Sequence, residues 1–275
     1  MAKKEIINID GIDIKLTKPD IMKVKWIGQE RYLTQLLAAW MVVDEKDSPM
    51  SPRLIGKPGV GKTTLAAVAA NYRKQDIYIF QATVDTRPED LLVVPIISDG
   101  NKISYHASSL VTAMVKGGVC ILDEGNRMSE KSWASLAPLL DYRRYVESII
   151  AGVKIHAHKD FRIVTTMNDD ASTFEIPDYI QSRLQPQIMI DFPDKDEEYM
   201  ILKEFLPFAD DKIVHYIVNF LQKAHYADEK FSVRDGINIG RYISKRIKQN
   251  PREPLRKHFT ESVLMIAGDD AMPYV

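Results

Sequence analysis

The run Gly56-Lys57-Pro58-Gly59-Val60-Gly61-Lys62-Thr63 fits the pattern G-x-x-x-x-G-K-[ST] at every fixed position. Its glycines let successive backbone N–H groups close around an anion. Lys62 brings a point charge for the β and γ phosphates of a nucleotide, and Thr63 offers a hydroxyl to Mg²⁺. The expected phosphate-binding residues are therefore Gly56, Pro58, Gly59, Val60, Gly61, Lys62 and Thr63, with Thr64 continuing the helix that follows. A second constellation is the apolar run Val119-Cys120-Ile121-Leu122 ending in Asp123-Glu124. Two acids at the carboxyl edge of a parallel sheet sit where open α/β folds bind ligands. Asp123 would hold Mg²⁺ through its water shell, and Glu124 would act as general base on an attacking water. A third run, Phe161 to Met167, ends in Asn168. That amide either bonds the γ-phosphate or the attacking water, or caps a loop with Asp169 and Asp170.

These residues need a sheet to carry them. Pro52-Arg53-Leu54-Ile55, Ile77 to Phe80, Val119 to Leu122 and Phe161 to Thr166 are short apolar runs bounded by polar residues or glycine. Helical stretches such as Lys62 to Arg73 and Ser129 to Leu140 separate them. This alternation predicts a largely parallel sheet with helices on both faces. Leu33, Leu36, Leu37, Trp40 and Met41 recur at helical spacing, predicting a buried helix face between Gln29 and Val43. Residues Ile6 to Leu16 alternate around Asp10-Gly11, the signature of a hairpin laid on the core's surface. Further hairpins are expected at Pro95 to His106, around Asp99-Gly100, and at Tyr145 to His158, around Gly152. After Asp191-Phe192-Pro193 only helical patterns remain, including Asp210 to Lys223 and Ile237 to Lys248. The expected organisation is an N-terminal hairpin extension over residues 1–25, a nucleotide-binding α/β domain over 26–191 and a helical domain over 192–275.

Composition narrows the class. The chain has 275 residues, 45% hydrophobic and 27% charged, with 13 Gly and 14 Pro. That is globular usage, too poor in Gly and Pro for a fibrous or low-complexity chain. A net charge of -1 provides no overall field toward nucleic acid or lipid, so either partner needs a local patch. Cys120 is the sole cysteine and cannot close an intramolecular disulfide, which points to a reducing compartment and a buried, inert thiol. Neither a signal-peptide apolar block nor a membrane-length apolar run is visible, so a cytoplasmic protein without membrane insertion is expected. The histidines have no metal-ligand spacing with Cys120, and Trp40 and Trp133 fall on apolar helix faces, so zinc is not expected and both rings read as core.

Together the motifs resemble the AAA+ ATPases, and within them the MoxR-like, dynein-related group. Gly56 to Thr63 matches Walker A, and Ile121-Leu122-Asp123-Glu124 matches Walker B. Trp26-Ile27-Gly28-Gln29-Glu30 is similar to the box that borders the adenine, which makes Ile27 and Gly28 expected nucleotide contacts. Thr165-Thr166-Met167-Asn168 resembles the sensor-1 strand. The resemblance implies that Arg183 is an arginine finger, and that Arg234 is a sensor-2 arginine opening a lid helix. Asp90-Leu91-Leu92 with the first internal hairpin looks like the helix-2 insert, and the second like the pre-sensor-1 hairpin. Val93 stands where the insert motif usually closes on Gly, and Asp169 where Pro usually follows the sensor Asn.

The fold so implied is a P-loop NTPase of the AAA+ type, a parallel sheet flanked by helices, with a C-terminal all-α lid subdomain. The activity implied is Mg²⁺-dependent ATP hydrolysis, with Lys62, Glu124, Asn168, Arg183 and Arg234 as catalytic groups and Thr63 and Asp123 at the metal. A finger that serves a neighbour implies a ring of copies of this chain, most simply a hexamer, and ATP gripped between core and lid. The family's habits imply a protein client remodelled by a chaperone-like machine, often a partner with a von Willebrand A domain. Two alternatives stand beside it. One is a nucleic-acid motor or nuclease subunit, using the basic runs Arg241, Lys245, Arg246, Lys248, Arg252, Arg256 and Lys257, or Arg143, Arg144, Lys154, His156, His158 and Lys159. The other is a nucleotide-gated scaffold with little turnover.

Overall fold

The computed structural model describes residues 5–98, 102–169 and 175–275. Two compact units divide the chain. The first comprises residues 1–26, 31–55 and 62–189, and the second comprises 27–30, 56–61 and 190–275.

The first unit is built on a five-stranded sheet. Its strands are β3 (Arg53–Gly56), β4 (Ile77–Gln81), β7 (Val119–Asp123), β10 (Arg162–Asn168) and β11 (Gln187–Met189). Their order across the sheet is β11-β3-β10-β7-β4, and the pairs β11–β3, β10–β7 and β4–β7 are parallel. β7 and β10 lie inside the sheet, so both faces are covered, and a continuous apolar run rather than an alternating one is what such a position selects. Every residue of β7 before Asp123 is buried. The helices of this unit are α1 (Glu30–Ala39), α2 (Lys62–Tyr72), α3 (Ser109–Lys116), α4 (Glu130–Leu136) and α5 (Asp178–Gln181). α3 shows why its bounds fall where they do: the Ser108 hydroxyl accepts the Val111 N–H, and Gly117 ends the helix in the left-handed region at φ 71°. α1 ends earlier than its periodicity predicts. Leu36 and Trp40 are buried, whereas Met41 lies beyond the helix and is exposed.

The ribbon at the N-terminal end forms as its Asp-Gly turn predicts. β1 (Ile6–Ile9) and β2 (Ile12–Lys15) pair antiparallel, with Asp10 and Gly11 both at positive φ, the geometry of a tight hairpin turn. It is joined to the insert. β5 (Val93–Ser98) and β6 (Lys102–Ala107) pair antiparallel, and β2 runs parallel to β6, giving a sheet of order β1-β2-β6-β5. The Asp99-Gly100 turn itself lies outside the described residues, as does Asp170. Ile14 and Leu16 are buried in the same core as Leu91, Leu110 and Met114, so the ribbon is packed rather than free. β8 (Tyr145–Ser148) and β9 (Val153–His156) form the second internal hairpin.

The second unit is helical. It contains α6 (Lys195–Phe205), α7 (Asp211–Tyr226), α8 (Val233–Gln249) and α9 (Leu255–Ala267). Ile217, Val218 and Leu221 of α7 share a core with Leu202, Leu206, Ile239, Ile243, Phe259 and Val263. Asp194 and Glu197 form a capping box at the start of α6, and Ser232 with Asp235 does the same for α8. Among the described residues no helix is long and apolar enough to cross a membrane.

Candidate functional site

In the first unit, the start of α2 meets the ends of β7 and β10. Lys62, the first residue of α2, is buried, and the Thr63 hydroxyl donates to Asp123 Oδ1 at 2.8 Å. The same carboxylate oxygen accepts the Thr166 hydroxyl at 2.5 Å. Thr166 Oγ1 in turn accepts the backbone N–H of Glu124 at 3.0 Å. One buried threonine therefore fixes both acids of the pair. Sequence reading passed over Thr166. Its signal is a pair of hydroxyls, Thr165 and Thr166, in the middle of a strand whose neighbours are apolar.

Glu124 occupies the left-handed region at φ 55° and ψ 40°. A non-glycine residue held there costs about 1–3 kcal/mol, and such strain persists where surrounding contacts over-determine it. Here the Thr166 bond is one such contact. The side chain is gripped as well: Arg127 Nε lies 2.7 Å from Glu124 Oε2, and the Asn168 amide stands 3.5 Å from Oε1. Asn168 faces the Glu124 carboxylate, and its own carbonyl accepts the Asn126 amide at 2.9 Å. Arg127 and Asn126 are further additions to the residues singled out by motif. Thr64 continues α2, half-buried. The hydroxyl of Thr63 and the carboxylate of Asp123 are hard oxygen donors in contact with each other, a set that suits Mg²⁺. Among the described residues no group of three or more His, Cys, Asp or Glu could hold a metal. Cys120 is buried, and desolvation pushes its thiol pKa far up, which suits an inert core residue.

Arg183 belongs to another cluster of the first unit. Its Nε donates to Asp141 Oδ2 at 3.2 Å, and its Nη1 to the Tyr179 carbonyl at 2.5 Å. Arg143 shares that carboxylate, donating from Nη2 at 2.8 Å. Asp141 is the residue here that no motif announces.

The remaining expected residues fall in the second unit. Gly28 has φ 70°, and an added Cβ would run into the Glu197 side chain. That approach lets Gln29 donate its backbone N–H to Glu197 Oε1 at 2.7 Å, so Ile27 and Gly28 are moored to the capping box of α6. Within the phosphate loop, Val60 is buried, Pro58 is exposed, and Gly59 and Gly61 have φ 83° and 98°. A Cβ on Gly59 would collide with the Ser232 hydroxyl at the start of α8 and lie 3.5 Å from Cβ of Arg234. Arg234, exposed, is thus beside the loop, one residue inside α8. A Cβ on Gly56 would likewise collide with the Ile190 carbonyl. Lys57 donates to Asp228 at 2.6 Å and lies 5.5 Å from the Phe192 ring centre, and Phe192 stacks on His225 with centroids 3.8 Å apart.

Comparison with known proteins agrees with this geometry. Residues 53–184 match the AAA domain, dynein-related subfamily. Solved structures similar to the chain include the RuvB Holliday junction branch migration motor of Thermotoga maritima, at TM-score 0.60 and 18% identity, covering 90% of this chain and 72% of that one. A point mutant of the same RuvB aligns at TM-score 0.62 and 19% identity over 90% and 73% of the two chains. A candidate ATPase from Cytophaga hutchinsonii aligns at TM-score 0.51 and 19% identity over 87% and 81%. At such identities the likeness is one of fold, a P-loop parallel sheet flanked by helices with a helical C-terminal region. The phosphate loop before α2 and the acidic end of β7 both fall within residues 53–184, the stretch that is similar to the AAA domain, dynein-related subfamily.

Proposed function

We propose that the chain is an Mg²⁺-dependent ATPase that works as a ring of identical copies and remodels a protein partner in the cytoplasm, in the manner of the MoxR-like group. The observation that carries the chemistry is the threonine-carboxylate junction, Thr63 and Thr166 both bonded to Asp123 Oδ1. It joins the phosphate loop's helix to the acidic strand end. The backbone N–H groups of Gly56 to Gly61 and the Lys62 ammonium take the phosphates, and Ile27 and Gly28 border the base. Thr63 and Asp123 would hold Mg²⁺, which would neutralise phosphate charge when bound. Glu124, released from Arg127, takes a proton from water as its oxygen attacks the γ-phosphorus. The bond to the β-phosphate oxygen breaks, and ADP leaves. Asn168 orients that water, and Arg234 reaches the γ-phosphate from α8. Arg183 serves the site of a neighbouring copy. Residues 26–191 then act as the nucleotide-binding domain and 192–275 as its lid.

Three substitutions test the reading. Lys62→Ala should abolish binding of a fluorescent ATP analogue. Glu124→Gln should bind it and turn over about 10²–10⁴ times more slowly. Arg183→Ala should bind it and lose turnover, and wild-type activity per subunit should rise with protein concentration. Normal turnover in Arg183→Ala would remove the ring.

A nucleic-acid motor is the second reading, favoured by one cluster. The Tyr145 ring on β8 has Lys154 Nζ 4.6 Å and the Arg143 guanidinium 6.0 Å from its centre, with the His156 ring 5.6 Å away. An aromatic face flanked by cations suits a base and its phosphate. The α8–α9 basic run is weaker support, because Glu253 and Glu261 pair with Lys257 and Arg246. ATPase activity stimulated by DNA and lost steeply with salt would favour this reading. Stimulation by a protein partner alone would exclude it.

A further inference from the structure

Asp141 does more than neutralise one neighbour. Its Oδ1 accepts the backbone N–H and the Nε of Arg143, each at 3.0 Å, while Oδ2 accepts Arg143 Nη2 at 2.8 Å and Arg183 Nε at 3.2 Å. The carboxylate is thus shared by two guanidiniums, one beside it in sequence and one from the segment after α5. Tyr179 closes the arrangement by accepting Arg183 Nη1 through its carbonyl. Among the described residues Arg183 Nη2 makes no hydrogen bond. The group is partly buried, with side-chain exposures of 16% for Asp141, 29% for Arg183 and 38% for Arg143.

An arginine acting across an interface must place a planar fork within a few tenths of an ångström of the oxygens it serves. A long side chain on the turn after a four-residue helix has many rotamers to lose in doing so. Here two of the donors of Arg183 are already spent on fixed acceptors, which sets the plane of the fork before any ligand arrives. The cluster keeps a net positive charge, two guanidiniums against one carboxylate, so it still attracts an anion. Resting on the ring reading above, we propose that Asp141 is a positioning residue that presents Arg183, with Arg143 beside it, to the nucleotide phosphates held by a second copy of this chain.

The test separates the clamp from the ring. Asp141→Asn should bind the ATP analogue within about twofold of wild type yet turn over about 10–100 times more slowly, the loss expected of a misplaced catalytic group. Asp141→Glu should recover part of that loss, and Arg143→Ala should cost less than Arg183→Ala. The decisive step is co-assembly with differently tagged Glu124→Gln copies, which keep the arginines but cleave about 10²–10⁴ times more slowly. Turnover per Asp141→Asn copy should rise on mixing, and should rise likewise for Arg183→Ala. If mixing rescues Arg183→Ala but not Asp141→Asn, or if Asp141→Asn alone is fully active, the clamp is overturned and the ring stands. If mixing rescues neither, the arginine does not act between copies, and both fall.

Discussion

Two carboxylates, one in each unit, stand at opposite ends of the acid range. Asp141 in the α/β unit is held down to about 2, first by hydrogen bonds from the Arg143 side chain, then by the Arg143 backbone and by Arg183. Glu198 in the helical unit is pushed up to about 8 by burial, which the single amide bond from Gln222 at 3.0 Å only partly offsets. Its other oxygen, like the facing His225 Nδ1 at 4.0 Å, has no hydrogen-bond partner among the described residues. His225 cannot supply the missing charge. Its Nε2 lies 2.7 Å from the Phe231 carbonyl and so carries the ring proton, while burial lowers its pKa. The lesson is about donors rather than depth. A carboxylate surrounded by guanidinium and backbone N–H groups stays ionised and available for electrostatic work, and one sealed in hydrocarbon becomes a neutral packing element.

Because the pKa of Glu198 is raised in the folded state, its contribution to stability is complete below about 4.5 and is lost as pH rises through about 8. Glu198→Gln should therefore stabilise the protein at pH 9 by a few kcal/mol and flatten the unfolding free energy between those limits, leaving turnover intact. A variant less stable at pH 9 would mean that the acid is ionised and paired. Next, Thr166→Val should cost about 1–3 kcal/mol in denaturant unfolding, because it strands the Glu124 N–H and removes one donor from Asp123. Asp141 behaves with the opposite sign to Glu198. Its depressed pKa adds stability above about 4 that disappears as pH falls toward 2, so Asp141→Asn should be less stable by about 1–2 kcal/mol at pH 7 and converge on wild type in acid. Smallest of all, Lys257→Met breaks ion pairs with Glu253 and Glu261 on exposed helix surface and should leave the unfolding midpoint unmoved.

The Walker-like runs were legible because their chemistry is local. A glycine loop opening a helix, or an apolar strand ending in acids, has its context written within a dozen residues, and β3, β7, β10 and α2 fall within two residues of their expected positions. The ends of α1 and α4 were less legible. Apolar spacing continued past Ala39 to Met41 and past Leu136 to Leu140, but the backbone there turns into other contacts, which periodicity does not register. Thr166, Arg127 and Asp141 were overlooked for a different reason. Each matters through a partner about forty residues away or through an unusual backbone angle, and single-chain spacing carries neither.

From the order of its residues alone, this chain determines a phosphate loop, the acidic strand end beside it, and the succession of strands and helices that makes a parallel sheet, because hydrophobic period and turn chemistry act over short separations. Tertiary structure alone decides which oxygen of Asp123 receives two hydroxyls, that Glu124 is wound into the left-handed region, and that Arg183 shares a carboxylate with Arg143. Those outcomes depend on directions and distances of a few ångströms between segments far apart in the chain, and such geometry exists only once the core has closed.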